Sequence, residues 1–135
     1  MADRYVEQTQ PFIVPTTDGK RIAEHFGRAS TGETALSIAH MIAPPFWSEP
    51  EQRPEFDEYT IVLRGRKRIL VDGREVVLEA GQSILVRRYV PVQYSNPFAS
   101  ELESLSICLP AFAPELAHRQ TGDATRAQGA DTDGE

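Results

Sequence analysis

The chain has 135 residues, room for one domain with a real core and too few for two. Hydrophobic residues make up 40% and charged residues 25%, the mixture of a soluble globular protein. The formal net charge of −6 offers no basic stripe to neutralise phosphates, so the expected partners exclude nucleic acid.

A single cysteine, Cys108, rules out an internal disulfide and suits a reducing compartment. It falls in the apolar run 105–109 and reads as a small packing residue. No stretch approaches the roughly 20 apolar residues of a membrane helix, and no apolar leader follows a basic start. The expectation is a cytoplasmic protein without a membrane partner.

Residues 1–10 are polar and unpatterned and read as an arm. Residues 11–15 predict a short edge strand, where prolines are tolerated because an edge has spare donors. Asp18-Gly19 marks a turn. Residues 21–33, interrupted by Gly27 and Gly32, read as loop with short strand pieces. Residues 34–42 alternate as a strand does, with Leu36, Ile38 and His40 on one side and Ala35, Ser37, Ala39 and Met41 on the other.

Four prolines in the twelve residues 43–54 forbid a helix and leave no regular ladder, which predicts a loop held in an extended path. Glu49, Glu51, Glu55, Asp57 and Glu58 crowd into it and just after it. Apolar runs at 59–63, 68–71, 76–78 and 83–86 follow, punctuated by Gly65, Asp72-Gly73 and Ala80-Gly81, and predict an antiparallel meander. Asp72-Gly73 is the pair favoured in a two-residue hairpin turn, where both central residues need φ > 0. Arg64, Arg66, Lys67 and Arg68 read as a solvated basic face.

Residues 101–109 predict a last strand, and Pro114 suits the first position of one helical turn. From residue 120 to 135 there is no large apolar side chain, which predicts a disordered tail. The organisation is thus an arm (1–10), one domain (11–119) and a tail.

Glu58, six residues, Gly65, and then Gly81 through Asn96 resemble the two sequence motifs of the cupin superfamily. The resemblance covers roughly residues 35–110. It implies an all-β fold, a jelly-roll-like double-stranded β-helix barrel of antiparallel strands, and a homodimer paired along the 11–15 edge. The histidines of the pattern are missing. Gln52 and Pro54, or Glu51 and Arg53 with a longer spacer, stand at the first pair, and Val92 stands at the last; Arg87 and Tyr89 replace a Pro and a Gly.

In metal-binding cupins three histidines and a Glu converge on one ion, and here Glu58 alone remains. The cofactor expectation is therefore none, or one atypically bound divalent metal on Glu58 with Gln52 and a loop carboxylate as oxygen donors. A Glu58 pointing into the barrel without a metal must find a donor or take up a proton, and either outcome suits a general acid or base. Strand parity places Thr60 beside it, and Val92, Tyr94 and Asn96 across the barrel. Tyr94 is the candidate donor, with core filler as its other reading, and His40 the third candidate catalytic residue if its side of the strand faces inward. Trp47 either lines the mouth or caps the core.

Small cupins of this profile include sugar epimerases and polyketide cyclases. The resemblance implies a small-molecule-binding cupin, with isomerase, cyclase or lyase chemistry run by Glu58, or with ligand binding alone as in a sensor. A metal-dependent oxygenase fits worst, because three of four ligands are absent.

Overall fold

The computed structural model describes residues 4–120. The expected disordered tail falls, from residue 121 on, outside the described residues. Those residues form β1 (Phe12–Val14), β2 (Arg21–Phe26), β3 (Ser37–Ala43), β4 (Trp47–Ser48), β5 (Asp57–Arg64), β6 (Arg66–Val71), β7 (Arg74–Glu79), β8 (Ser83–Val86), β9 (Val92–Asn96), β10 (Leu102–Leu109) and one helical turn, α1 (Pro114–Ala117).

The strands make two antiparallel sheets, one of six in the order β1-β2-β3-β10-β5-β8 and one of four in the order β4-β9-β6-β7. This is the all-β jelly-roll arrangement that the motif spacing implies.

The connections differ from the expected meander. β5 and β6 are separated by Gly65 alone, yet they belong to different sheets, and β7 and β8 are divided in the same way. Gly65 makes the first arch possible. Its φ is +82°, and a Cβ there would lie 2.3 Å from the Glu101 carbonyl oxygen. Within the stretch β5–β8, only β6–β7 is a local hairpin. Val71 pairs with Arg74 across Asp72 (φ 52°) and Gly73 (φ 79°), as the Asp-Gly pair predicts.

Residues 21–26, expected as loop with short strand pieces, form a continuous strand. The interrupting Gly27 and Gly32 lie beyond its end, and it carries Glu24, a charged residue only 7% exposed. The carboxylate is satisfied by the Ala29 and Ser30 amides at 3.0 and 2.8 Å and by the Ser30 hydroxyl at 2.8 Å. The proline-rich loop also carries more ladder than expected, since Trp47 and Ser48 pair with Asn96 and Ser95, and Gln52 bridges to Val92.

The main core cluster gathers Val62, Ile69, Val92 and Leu102 with Trp47, Leu78, Val86 and Tyr94. A second cluster joins Phe56, Cys108 and Ala117 of α1 to Phe112 and Leu116. Trp47 and Tyr94 of the first cluster and Phe56, Cys108 and Phe112 of the second border a single cavity.

Candidate functional site

Alternation along the strands decides which side chains reach this cavity. On β5, Glu58, Thr60 and Val62 are buried while Tyr59 and Leu63 are exposed; on β10, Leu102, Ser104, Ser106 and Cys108 face inward. Ser106 pairs with Thr60 and Cys108 with Glu58, so Ser106 and Glu58 are diagonal neighbours on one face. The Ser106 hydroxyl donates to Glu58 Oε2 at 2.5 Å.

The opposite sheet contributes Lys67 and Tyr94. Ile69 pairs with Tyr94, which makes Lys67 the diagonal neighbour of Tyr94, and the Lys67 ammonium lies 4.6 Å from the Tyr94 ring centroid.

The cavity has about 70 Å³ of room for the centres of water-sized atoms, enough for several waters or a small ligand. Its polar wall includes Glu58, Lys67, Ser106, Tyr94, Glu49 and Lys20, and its apolar wall includes Val14, Ile22, Met41 and Phe112. Lys20 is ion-paired with Glu49 at 3.1 Å and lies 4.3 Å from the centroid of the Trp47 ring. The Trp47 indole N–H donates to Asp18 at 2.7 Å.

Burial sets the titration of the central groups. It pushes the Glu58 carboxyl above its ordinary value, against the opposing pull of the Lys67 charge and the Ser106 hydrogen bond. Burial pushes Lys67 down, against the opposing charges of Glu58 and Glu49. Tyr94 is raised well above its usual value, by burial first and then by the Glu58 charge. Its hydroxyl is one of two buried side-chain oxygens without a hydrogen bond of ordinary geometry among the described residues, although the Glu58 carboxyl is near enough to act on it as a hydrogen-bond partner.

Of the residues singled out in the sequence, Glu58, Tyr94, Trp47 and Gln52 line the cavity, and Thr60, Val92 and Asn96 do not. Thr60 and Val92 are packed in the core at 0% exposure. Asn96 is a tie between loops, donating to the Pro44 and Ser100 carbonyls at 3.0 and 2.9 Å and accepting from the Phe98 amide at 3.2 Å. Trp47 does both things weighed for it, since it sits in the core cluster and also lines the cavity.

His40 does not face the cavity. Ser37, Ala39 and Met41 of β3 do, and His40 lies on the other face, bonded to Glu103 at 2.6 Å beside Arg64. Two of the three β3 side chains on the cavity side, Ser37 and Ala39, are short and leave space beside Met41.

Lys67, Lys20 and Ser106 are site residues that sequence reasoning missed, and Glu49 was weighed only as a possible metal donor. For Lys67 a signal existed. It shares strand parity with Ile69 and Val71, and it is 3% exposed where a solvated face was expected.

The residues do not fit the metal of a metal-binding cupin. Among the described residues no three His, Cys, Asp or Glu side chains gather where they could hold an ion. Gln52 Oε1 accepts from Arg119 at 3.3 Å, and Glu58, the other proposed ligand, shares its cavity with two lysines whose charge opposes a bound cation. The atypical Gln52–Glu58 metal site is therefore not formed. What remains is a buried carboxyl with a hydroxyl donor, an ammonium and a phenol around one small space, a set suited to exchanging a proton with a bound molecule.

Comparison with known proteins agrees with this architecture. A segment of 109 residues is 50% identical to a protein from Myxococcus xanthus (strain DK1622) called endoribonuclease YbeY; the match spans 81% of this chain and 37% of that protein. An RmlC-like cupin from Shewanella frigidimarina NCIMB 400 superposes with a TM-score of 0.66 at 18% identity, over 82% of this chain and 93% of its own. The polyketide cyclase RemF from Streptomyces resistomycificus does so with a TM-score of 0.63 at 15% identity, over 80% of each chain. At such identities the likeness is one of fold. The model of the cupin domain family matches residues 39–108, more than half the chain, and the chain belongs to that family.

Proposed function

We propose that the barrel binds a small organic molecule and moves a proton on it, with Glu58 as general acid or base, in isomerase, cyclase or lyase chemistry. The observation that carries this reading is Glu58 itself, a cavity-lining carboxyl 8% exposed, held by Ser106 and raised in pKa by burial. A raised carboxyl exchanges its proton nearer neutrality, where acid–base catalysis is most effective. The Tyr94 hydroxyl, which makes no hydrogen bond of ordinary geometry, is placed to donate to an oxygen that gains charge. A polyketide cyclase on the same fold supports the class of reaction by analogy alone.

Glu58→Gln keeps the shape and removes the titration. Turnover of a substrate, found through ligands that raise the melting temperature, is expected to fall by about 10²–10⁴. A loss below about tenfold with folding unchanged would overturn the assignment.

A second reading is a ligand-binding module without turnover. It is favoured by the Myxococcus xanthus relative, in which a segment like this chain is 37% of a longer protein named for another activity. In that case Glu58→Gln changes affinity alone. Either reading suits a homodimer along β1, the edge strand of the larger sheet, where Phe12 and Ile13 are 41% and 48% exposed. Its mass in solution tests the pairing.

A further inference from the structure

The chain has two lysines among its fourteen Lys and Arg residues. Lysine is among the side chains least often buried, yet both of these are, at 6% exposure for Lys20 and 3% for Lys67, and both line the cavity. Arginine alone carries the remaining basic charge.

The two are not equivalent. Lys20 has its counter-charge in Glu49 at 3.1 Å. Glu24, a third buried charge on the wall, is satisfied by Ala29 and Ser30. Lys67 has the face of the Tyr94 ring, but among the described residues it has no carboxylate within 4 Å and no hydrogen bond. An ammonium carries three donors and no acceptor. Buried without a partner it is costly, and the cavity is the space left in which a partner can stand. The charged and titratable groups that act on it are Glu58, Glu49, Lys20 and Cys108; of these Glu49 is engaged by Lys20, and Glu58 accepts from Ser106.

We propose that the ligand of this cavity is a small monocarboxylate, its carboxylate seated on the Lys67 ammonium and its hydrocarbon part against Val14, Ile22, Met41 and Phe112. This rests on the reading of the cavity as a ligand site and names the class of molecule it takes. The carboxylate supplies a counter-charge in direct contact, where Glu58 and Glu49 act only from beyond 4 Å, and accepts the unused donors, and Tyr94, whose ring the ammonium covers, is placed to donate to the same group. Arg119, also on the wall, adds positive charge that favours the entry of an anion.

The chain's single tryptophan, Trp47, lines the cavity and reports occupancy through its fluorescence. Butanoate and its neutral counterpart butanamide are titrated against the wild-type protein, Lys67→Met and Tyr94→Phe, with circular dichroism as the check on folding. Wild type is expected to bind butanoate at least tenfold more tightly than butanamide. Lys67→Met should abolish the preference, and Tyr94→Phe should weaken butanoate several-fold. Equal or tighter binding of the amide by wild type, or a preference that survives Lys67→Met, overturns the proposal and leaves the cavity as a site for neutral molecules. Should Lys67→Met not fold, the wild-type preference and the Tyr94→Phe loss decide the matter. No fluorescence response to either compound overturns both this proposal and the ligand-site reading beneath it.

Discussion

Thr60 and Tyr94 carry the two buried side-chain oxygens that lack a hydrogen bond among the described residues, and their surroundings give them opposite meanings. Tyr94 borders the cavity, where a ligand can complete it. Thr60 is fully enclosed next to Val62 and has no such prospect. Replacing an unpartnered hydroxyl by a methyl of the same shape removes a desolvation penalty. Thr60→Val is therefore expected to raise the urea midpoint, corresponding to about 1 kcal/mol of added stability. A loss of similar size would mean that the hydroxyl finds a partner in solution. Glu58 was legible as an inward residue from its place in the motif and from strand parity. Its partner Ser106 was not, because the two are 48 residues apart and meet only through the β5–β10 register.

At the scale of elements, what the sequence made legible was length and face, and what it left hidden was pairing. The alternation of β5 and β10 and the Asp72-Gly73 hairpin follow directly from apolar spacing and turn chemistry. The sheet to which each strand belongs does not, because a positive-φ glycine serves equally in a hairpin and in an arch between two sheets. Gly65 is the arch. Gly65→Ala would drive a methyl into the Glu101 carbonyl at a φ that L side chains avoid. It is expected to destabilise the fold by about 2 kcal/mol or more, read from equilibrium unfolding. Gly73 shows nothing within 4 Å of an added Cβ, so the same substitution there carries only the backbone strain and should lose less; equal losses would show that the close approach at Gly65 is relieved at little cost. The faces of β3 teach a related lesson. His40, alternating with Leu36 and Ile38, was a candidate to point inward, but it is the face of Ser37, Ala39 and Met41 that lines the cavity.

For the whole molecule, the cavity is a region where stability has been given up. Glu58 is raised, so the folded state holds its proton more readily than the unfolded chain. Its contribution to stability therefore falls as pH rises from the ordinary 4.5 through the raised value. Lys67 is lowered, so the unfolded chain holds that proton more readily, and stability rises as pH climbs from the lowered value towards the ordinary 10.5. At neutral pH both groups weigh against folding, and each partly screens the other. The double variant Glu58→Gln/Lys67→Met is accordingly expected to be more stable than wild type by about 1–4 kcal/mol. Either single change should gain less or lose, because it strands the remaining charge. A double variant less stable than both singles would show instead that the pair holds the barrel together. The confinement of both lysines to the interior reaches beyond ligand binding. An endoproteinase that cuts only after lysine finds both of the side chains it must grip buried in the native barrel, while one specific for arginine meets exposed side chains such as Arg66 and Arg74. The ratio of the two digestion rates is thus a built-in gauge of how often the barrel opens, and amine-directed dyes or resins will modify these side chains only at the pace of that opening.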